Sequence, residues 1–200
     1  MLLFPAFLKL AGRRCLVVGA GRIAGDKIQG LLRSEAEVRV VAPAAIPRIR
    51  AWARARKIRW NARRFRAADL QDTFLVVAAT SSPALDAQIY DQARRRGVLC
   101  NVVDDPEHCD FYYGSVVRRG SLQIAISTGG HSPALAQRLR KRLEKEFGAE
   151  YEEWLEAIGE IRKVLFAKAI SPKRRKALLH SLASESSFKS FLERRKRKQE

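Results

Sequence analysis

The chain has 200 residues, 46% of them hydrophobic, with 12 glycines and 7 prolines. At about 100–200 residues per domain this is one domain or two small ones with ample apolar material, which excludes a disordered chain, a collagen-like repeat and a disulfide-stapled miniprotein. Lys+Arg 39 against Asp+Glu 21 gives a formal charge of +18, a field that draws nucleic acid, anionic lipid or a polycarboxylate metabolite. No uninterrupted apolar run reaches about 18 residues, so no helix is expected to span a membrane. The opening Met1-Leu2-Leu3-Phe4-Pro5 lacks the basic start and small-residue cleavage site of a signal peptide. Cys15, Cys100 and Cys109 cannot all pair and have no CxxC spacing, which predicts a reducing cytoplasm.

The charge is uneven. Arg48 to Arg66 holds nine bases and no acid, and Asp104 to Asp110 holds four acids and no base. From Arg162 onward there are 13 bases and 3 acids, with a run from Arg194 to Lys198 that reads as a solvated, frayed tail.

In chain order, Cys15–Val18 is a short apolar run of the kind that forms a buried parallel strand. Residues 23–32 follow at helical spacing. Val38–Val41 is a second strand stopped by Pro43, and residues 45–56 read as a helix. Ile58–Trp60 and Phe74–Ala79 are strands. Pro83 opens a helix to about Arg96 that Gly97 ends, and Val98–Val102 is the fifth strand. Strand–helix alternation with buried strands predicts a parallel sheet covered on both faces. After Asp110 the pattern changes. Phe111–Val117 and Ser121–Ser127 read as a hairpin, and Ser132-Pro133 supplies an N-cap and first-turn proline for a helix to about Phe147. From Ala149 the chain reads as helical, with breaks near Ser171-Pro172 and Ser184 to Ser187.

Three segments carry chemistry. Gly19-Ala20-Gly21-Arg22-Ile23-Ala24 is G-x-G-x-x-A directly after a strand and opening a helix. Gly19 suits the tight turn, Gly21 a close approach to a pyrophosphate, and Ala24 close helix–sheet packing, while the helix N-terminus offers N–H groups and positive dipole. The acid expected about 20 residues on, for the ribose, is replaced by Val40-Val41-Ala42-Pro43-Ala44. Arg22 or Arg48 would admit a 2′-phosphate, so the motif leaves NAD and NADP both open. Second, Asn101 to Asp110 follows the fifth strand at the carboxyl end, where open α/β sheets bind ligands. A carboxylate there accepts a proton or meets a metal, or is simply part of an acidic surface loop. His108 and Cys109 are adjacent, and nothing else has zinc-site spacing, so no fixed metal site is expected. Third, Ser127-Thr128-Gly129-Gly130-His131-Ser132-Pro133 joins a strand to a helix. Two glycines, three hydroxyls and a helix N-terminus form a carboxylate cradle or, more plainly, a capped turn.

Pro5 through Leu10, Cys15 to Ala24 with Lys27, Val41-Ala42-Pro43, Ala78-Ala79-Thr80, Asn101-Val102-Val103-Asp104 and Ser127 to Pro133 together resemble the precorrin-2 dehydrogenase / sirohydrochlorin ferrochelatase family. This is the stand-alone form of the N-terminal part of siroheme synthase. The resemblance covers about residues 1–150 well and the helical remainder loosely. It implies an NAD-binding Rossmann domain with a parallel sheet (1–113), a small α+β dimerisation segment (114–147) and a C-terminal helical domain (148–200), assembled as a homodimer. It also implies oxidation of precorrin-2 to sirohydrochlorin by NAD⁺, followed in many members by Fe²⁺ insertion to give siroheme.

By position, Asp104 matches the family's catalytic aspartate and is a candidate for transient Fe²⁺ contact. Gly19, Gly21, Arg22, Ile23, Pro43, Ala44, Thr80, Asn101 and Val102 match or adjoin the cofactor positions. Thr128, Gly129, Gly130, His131 and Ser132 are the candidate contacts of the tetrapyrrole carboxylates. Thr128 stands where some members carry serine, and Gly114 where a proline is common. Neighbouring residues at a strand end point to opposite faces, so Asp105 is expected to turn away from the cleft that Asp104 enters. Membrane and nucleic-acid partners are not expected. The competing readings are a nucleotide-sensing module whose basic tail binds nucleic acid, and a dehydrogenase for another anionic metabolite. The first lacks any helix-turn-helix, RNP or zinc-finger signature.

Overall fold

Runs of apolar residues with no polar interruption, such as Cys15–Val18 and Leu75–Ala78 at the centre of the sheet, are stable only when buried on both faces. The computed structural model describes residues 2–197. Strands β1 (Arg14–Val18), β2 (Glu37–Val41), β3 (Arg59–Asn61), β4 (Leu75–Ala78) and β5 (Leu99–Val102) form one sheet in the order β3-β2-β1-β4-β5. Every pairing in it is parallel. Helices α1 (Arg22–Arg33), α2 (Pro47–Arg54) and α3 (Pro83–Arg94) are its crossovers. One face packs Val17, Val40, Val77, Ile28 and Ile49, and the other packs Leu16, Val76, Ile89 and Cys100. The order reverses between β1 and β4, which opens a crevice at their carboxyl ends.

The chain divides into two compact units, residues 2–112 and residues 113 onward. The second contains the antiparallel hairpin β6 (Ser115–Arg119) and β7 (Leu122–Ile126), then α4 (Pro133–Glu146), α5 (Glu150–Ala167), α6 (Pro172–Leu182) and α7 (Glu185–Arg197). Gly120, at φ +54°, starts the two-residue hairpin loop. The Arg119 side chain crosses to the end of α4, donating to Phe147 O at 2.7 Å and Glu144 O at 2.8 Å. It thereby satisfies carbonyls that a helix C-terminus leaves unpaired. Ring contacts join Tyr151 and Trp154 of α5 to Phe188 of α7, at 4.5 and 4.8 Å.

Two expectations need correction. The strand expected over Phe111–Val117 begins only at Ser115. The segment before it belongs to the edge of β5: Asp110 N donates to Cys100 O, and Asn101 Nδ2 donates to Phe111 O, both at 2.8 Å. The second bond withdraws Phe111 from the hairpin. The basic run expected to fray is helical to Arg197, and Arg195 meets Glu153 of α5 at 2.8 Å. Lys198 lies outside the described residues.

Sequence periodicity also misses the short 3₁₀ turn Ala67–Leu70, which centres on the buried Asp69. Both oxygens of Asp69 accept from Arg63, at 2.6 and 2.8 Å, and Arg66 N donates at 2.9 Å. Burial pushes the Asp69 carboxyl up, but the Arg63 fork, the Arg66 N–H and the charge of Arg39 outweigh it and hold it below the usual aspartate value. A lowered native value adds stability above the unfolded pKa of about 3.9, and this is lost as pH falls through the lowered value. Asp69→Ala strands these donors and is expected to reduce unfolding free energy by about 1–3 kcal/mol. Urea melts at pH 7 and below pH 4 check this, the difference between variant and parent narrowing at the lower pH.

Candidate active site

The crevice begins at Gly19, φ +104°, directly after β1. A Cβ there would stand 2.1 Å from Ala79 O, so only glycine allows the turn to pass β4. Gly19 N donates to Val41 O at 3.0 Å, and Ala79 N to Val18 O at 2.8 Å. The ends of three strands are thus stitched around the turn. Gly21 is the N-cap of α1 and brings no side-chain cap, and the first turn of α1 contains no acid. A Cβ on Gly21 would meet nothing within 4 Å. This leaves an uncapped positive helix end facing open space, and the residues present fit a dinucleotide pyrophosphate.

Around that turn, Arg22 and Ile23 are exposed at the start of α1, and Pro43 and Ala44 are exposed beyond β2. Trp60 Nε1 donates to Ala42 O at 3.0 Å and fixes the approach to Pro43. Arg48 donates to Gly25 O at 2.7 Å, meets Asp26 at 3.1 Å and stacks over Trp52 at 4.7 Å. It is therefore engaged with α1 and α2. Thr80, at the end of β4, donates its hydroxyl to the buried Asp86 at 2.9 Å. Burial raises the Asp86 carboxyl, against the two hydrogen bonds from Thr80. Val102 is buried in the sheet. Asn101 is buried too, its amide holding Phe111 O and the Cys109 sulfur at 3.2 Å. Of the nominated cofactor residues, Asn101 acts on the loop that carries the acids.

Asp104 is exposed in the turn after β5, at φ +61°. It lies beyond the last strand residue, so strand alternation does not govern its direction. What separates it from Asp105 is the company each keeps. Asp105 Oδ2 sits 2.7 Å from His108 Nδ1, and His108 packs edge-on against Tyr90 at 4.9 Å. Asp104 lies in the field of Lys27 from α1. Asp110 accepts from Cys100 N at 2.8 Å. The acidic stretch is thus a set of carboxylates with different partners. Among the described residues, no three His, Cys, Asp or Glu side chains are placed to hold a metal ion.

In the second unit, Gly129 and Gly130 both take positive φ, +60° and +85°. Ser127 Oγ accepts from Gly129 N, Thr128 Oγ1 from Ser132 N, and Ser132 Oγ from Leu135 N, at 3.1, 3.1 and 3.2 Å. These bonds make a capped turn, with His131 exposed at its tip. Each hydroxyl accepts from the backbone and keeps its own proton to donate.

Fold, glycine turn and strand order define a dinucleotide-binding Rossmann protein. Residues 6–115 match a family model described as "Putative NAD(P)-binding", and residues 119–146 match one described as "Sirohaem biosynthesis protein central". The chain belongs to this NAD(P)-binding family, in the branch that carries the sirohaem biosynthesis central segment. It is 40% identical over 173 residues to "Siroheme synthase" of Neisseria meningitidis, covering 86% of this chain and 36% of that one. It is 42% identical over 140 residues to "Siroheme synthase" of Nitrosococcus oceani, covering 70% and 30%. The chain thus spans about a third of the length of these curated relatives. Among solved structures, "SirC, precorrin-2 dehydrogenase" superposes with a TM-score of 0.79 at 28% identity, covering 96% of this chain and 98% of that one.

Proposed function

We propose that the protein oxidises precorrin-2 to sirohydrochlorin with NAD⁺. The observation that carries this reading is the likeness, over nearly the whole of both chains, to a precorrin-2 dehydrogenase. The nicotinamide dinucleotide supplies the hydride acceptor when bound. Gly19, Gly21 and the first turn of α1 would hold its pyrophosphate, and Pro43 and Ala44 would line the cofactor beyond β2. Asp104 takes the proton that leaves with the hydride, as a general base at the carboxyl end of the sheet. Thr128, His131 and Ser132 donate to substrate carboxylates, and the charge of +18 attracts that polycarboxylate. Arg48 is tied to α1 and stacked on Trp52, while Arg22 is exposed at the start of α1; a clear rate preference for NADP⁺ over NAD⁺ would overturn the choice of cofactor.

Fe²⁺ insertion into the sirohydrochlorin so formed follows as a second step. It expels two pyrrole protons, and Asp104 accepts one or guides the metal. Incubation with precorrin-2 and either dinucleotide, followed by Fe²⁺, tests the whole reading through the visible spectrum. The expected order is sirohydrochlorin with NAD⁺, then siroheme. A spectrum unchanged by NAD⁺ overturns the dehydrogenase and points to another anionic metabolite.

Residues 1–113 serve as the cofactor domain, 114–147 as the dimerisation segment and 148–200 as the helical domain of a homodimer. The support is the thin interior of the second unit. Among its described residues only Val117 and Ala136 are buried hydrophobics, while Ile161, Val164, Phe166 and Leu178 are 39–52% exposed. Leu122, Ile124 and Ile126 alternate along β7 but are only half-buried. So little burial does not sustain a unit of this size alone. Light scattering at micromolar concentration is expected to give twice the chain mass, and a monomer refutes the assembly. Cys15, Cys100 and Cys109 are free. Burial pushes Cys15 up to about 11 and Cys100 up to about 12, and three unpaired thiols fit a cytoplasmic protein.

A further inference from the structure

We infer that Asp86 is a positioning residue for the dinucleotide: its buried carboxylate ties the end of β4 to α3 through Thr80 and so fixes the backbone that lies against the Gly19 turn. This rests on the reading of Gly19–Ala24 as the pyrophosphate site.

Asp86 is the acid in the first turn of α3. An acid at that place complements the helix dipole from the surface, and needs no burial to do so. Asp86 is nevertheless only 7% exposed. A buried carboxylate costs free energy unless hydrogen bonds replace the water it loses. Its Oδ1 accepts two, from the Thr80 hydroxyl at 2.9 Å and from Thr80 N at 3.4 Å. Burial raises the Asp86 carboxyl, and both of these bonds oppose the rise.

Thr80 is held by the start of α3 as well. Its hydroxyl oxygen accepts from Ser82 N at 3.1 Å, and Ser82 Oγ in turn accepts from Leu85 N at 3.4 Å. The hydroxyl has one proton and two acceptors in reach, Asp86 Oδ1 and, at 3.2 Å, Ser82 O. The nearer and charged acceptor makes the stronger bond. In either bond the proton is used inside the protein, so the side chain has no donor left for a phosphate. Thr80 is a link between strand and helix, and its contribution to the crevice is the course of its backbone.

That course passes Gly19 at contact distance. A Cβ on Gly19 would stand 3.3 Å from Thr80 N as well as 2.1 Å from Ala79 O. A shift at the end of β4 is therefore felt at once by the turn. Four residues on from Asp86, on the same side of α3, Tyr90 packs against His108 at 4.9 Å. One helix face thus braces the chain beyond β4 and beyond β5.

The test measures NAD⁺ affinity by calorimetric titration, together with kcat and KM, for Asp86→Ala, Asp86→Asn, Thr80→Val, Thr80→Ser and the Asp86→Ala/Thr80→Val double variant. Asp86→Ala and Thr80→Val are each expected to weaken NAD⁺ binding by about 10-fold, the strength of one hydrogen bond to a charged group, with kcat at saturating NAD⁺ close to the parent's. Asp86→Asn keeps an oxygen where both bonds fall and recovers most of the affinity, as does Thr80→Ser, which keeps the hydroxyl. The double variant binds no more weakly than Asp86→Ala, because the two residues act as one link. Asp69→Ala loosens the same unit before β4, at the other end of that strand from Thr80, and is expected to leave NAD⁺ affinity unchanged. An equal loss in Asp69→Ala overturns the positioning role, and so do losses that multiply in the double variant or an unchanged affinity in Asp86→Ala. If Asp86→Ala does not fold, Thr80→Val against Thr80→Ser decides, and equal affinities refute the role. Gly21→Asp keeps the two readings apart. Binding abolished there beside normal binding by Asp86→Ala removes the positioning role and leaves the pyrophosphate site in place, whereas normal binding by Gly21→Asp removes both.

Discussion

Asp104→Asn is expected to lower precorrin-2 dehydrogenation by about 10²–10⁴-fold, the range for loss of a general base, while NAD⁺ still binds. Asparagine is the informative substitution for a backbone reason. Residue 104 sits at φ +61°, in the left-handed region that asparagine tolerates far better than most residues. The turn therefore keeps its course and only the basic oxygen is lost. Asp105→Asn is the control. Its partner is His108 at 2.7 Å, so it is expected to loosen the loop and reduce turnover far less. Stopped-flow absorbance with each variant distinguishes them. An active Asp104→Asn beside an inactive Asp105→Asn moves the proton to the other acid. If chelation shares the carboxylate, Fe²⁺ insertion into supplied sirohydrochlorin falls with the first activity.

Gly21→Asp is expected to abolish NAD⁺ binding in a protein that remains folded. A Cβ at Gly21 meets no atom within 4 Å, so nothing in the crevice resists the new side chain. Aspartate is moreover a favoured N-cap, worth a few tenths of a kcal/mol over glycine, and α1 has no side-chain cap of its own. The thermal midpoint should hold or rise slightly. The carboxylate that caps the helix occupies the place of the pyrophosphate and repels it. Calorimetric titration that gives an unchanged NAD⁺ affinity refutes the site. Gly19→Ala makes the contrast, for its Cβ would lie 2.1 Å from Ala79 O and the damage would fall on the fold.

The apolar runs of β1, β4 and β5 and the Gly19–Ala24 turn are legible in the sequence because buried parallel strands and glycine turns impose residue types locally. The Ser132-Pro133 and Ser82-Pro83 helix starts are legible for the same reason, and both serines accept from the N–H three residues on. What escapes is set by distant partners. Nothing local says that Asn101 will hold Phe111 O, and that bond is why Phe111 does not join the hairpin. The pairings of Asp69 with Arg63, of Asp105 with His108 and of Asp110 with the Cys100 N–H are likewise tertiary facts. Asp104 itself is selected by resemblance, since spacing alone does not separate it from Asp105.

The shortage of buried side chains beyond Tyr113 bears on how the chain reaches its native state. The sheet of the first unit is closed by its own crossovers and has two interior layers, so it can form while the rest is still unstructured. The hairpin and α4–α7 gain most of their apolar cover only on meeting a second chain, in the assembly proposed above. Their folding is then second order in protein, and dilution acts on them as a denaturant does. Heating at a series of concentrations would separate two transitions, one fixed in temperature and one climbing as the protein becomes more abundant.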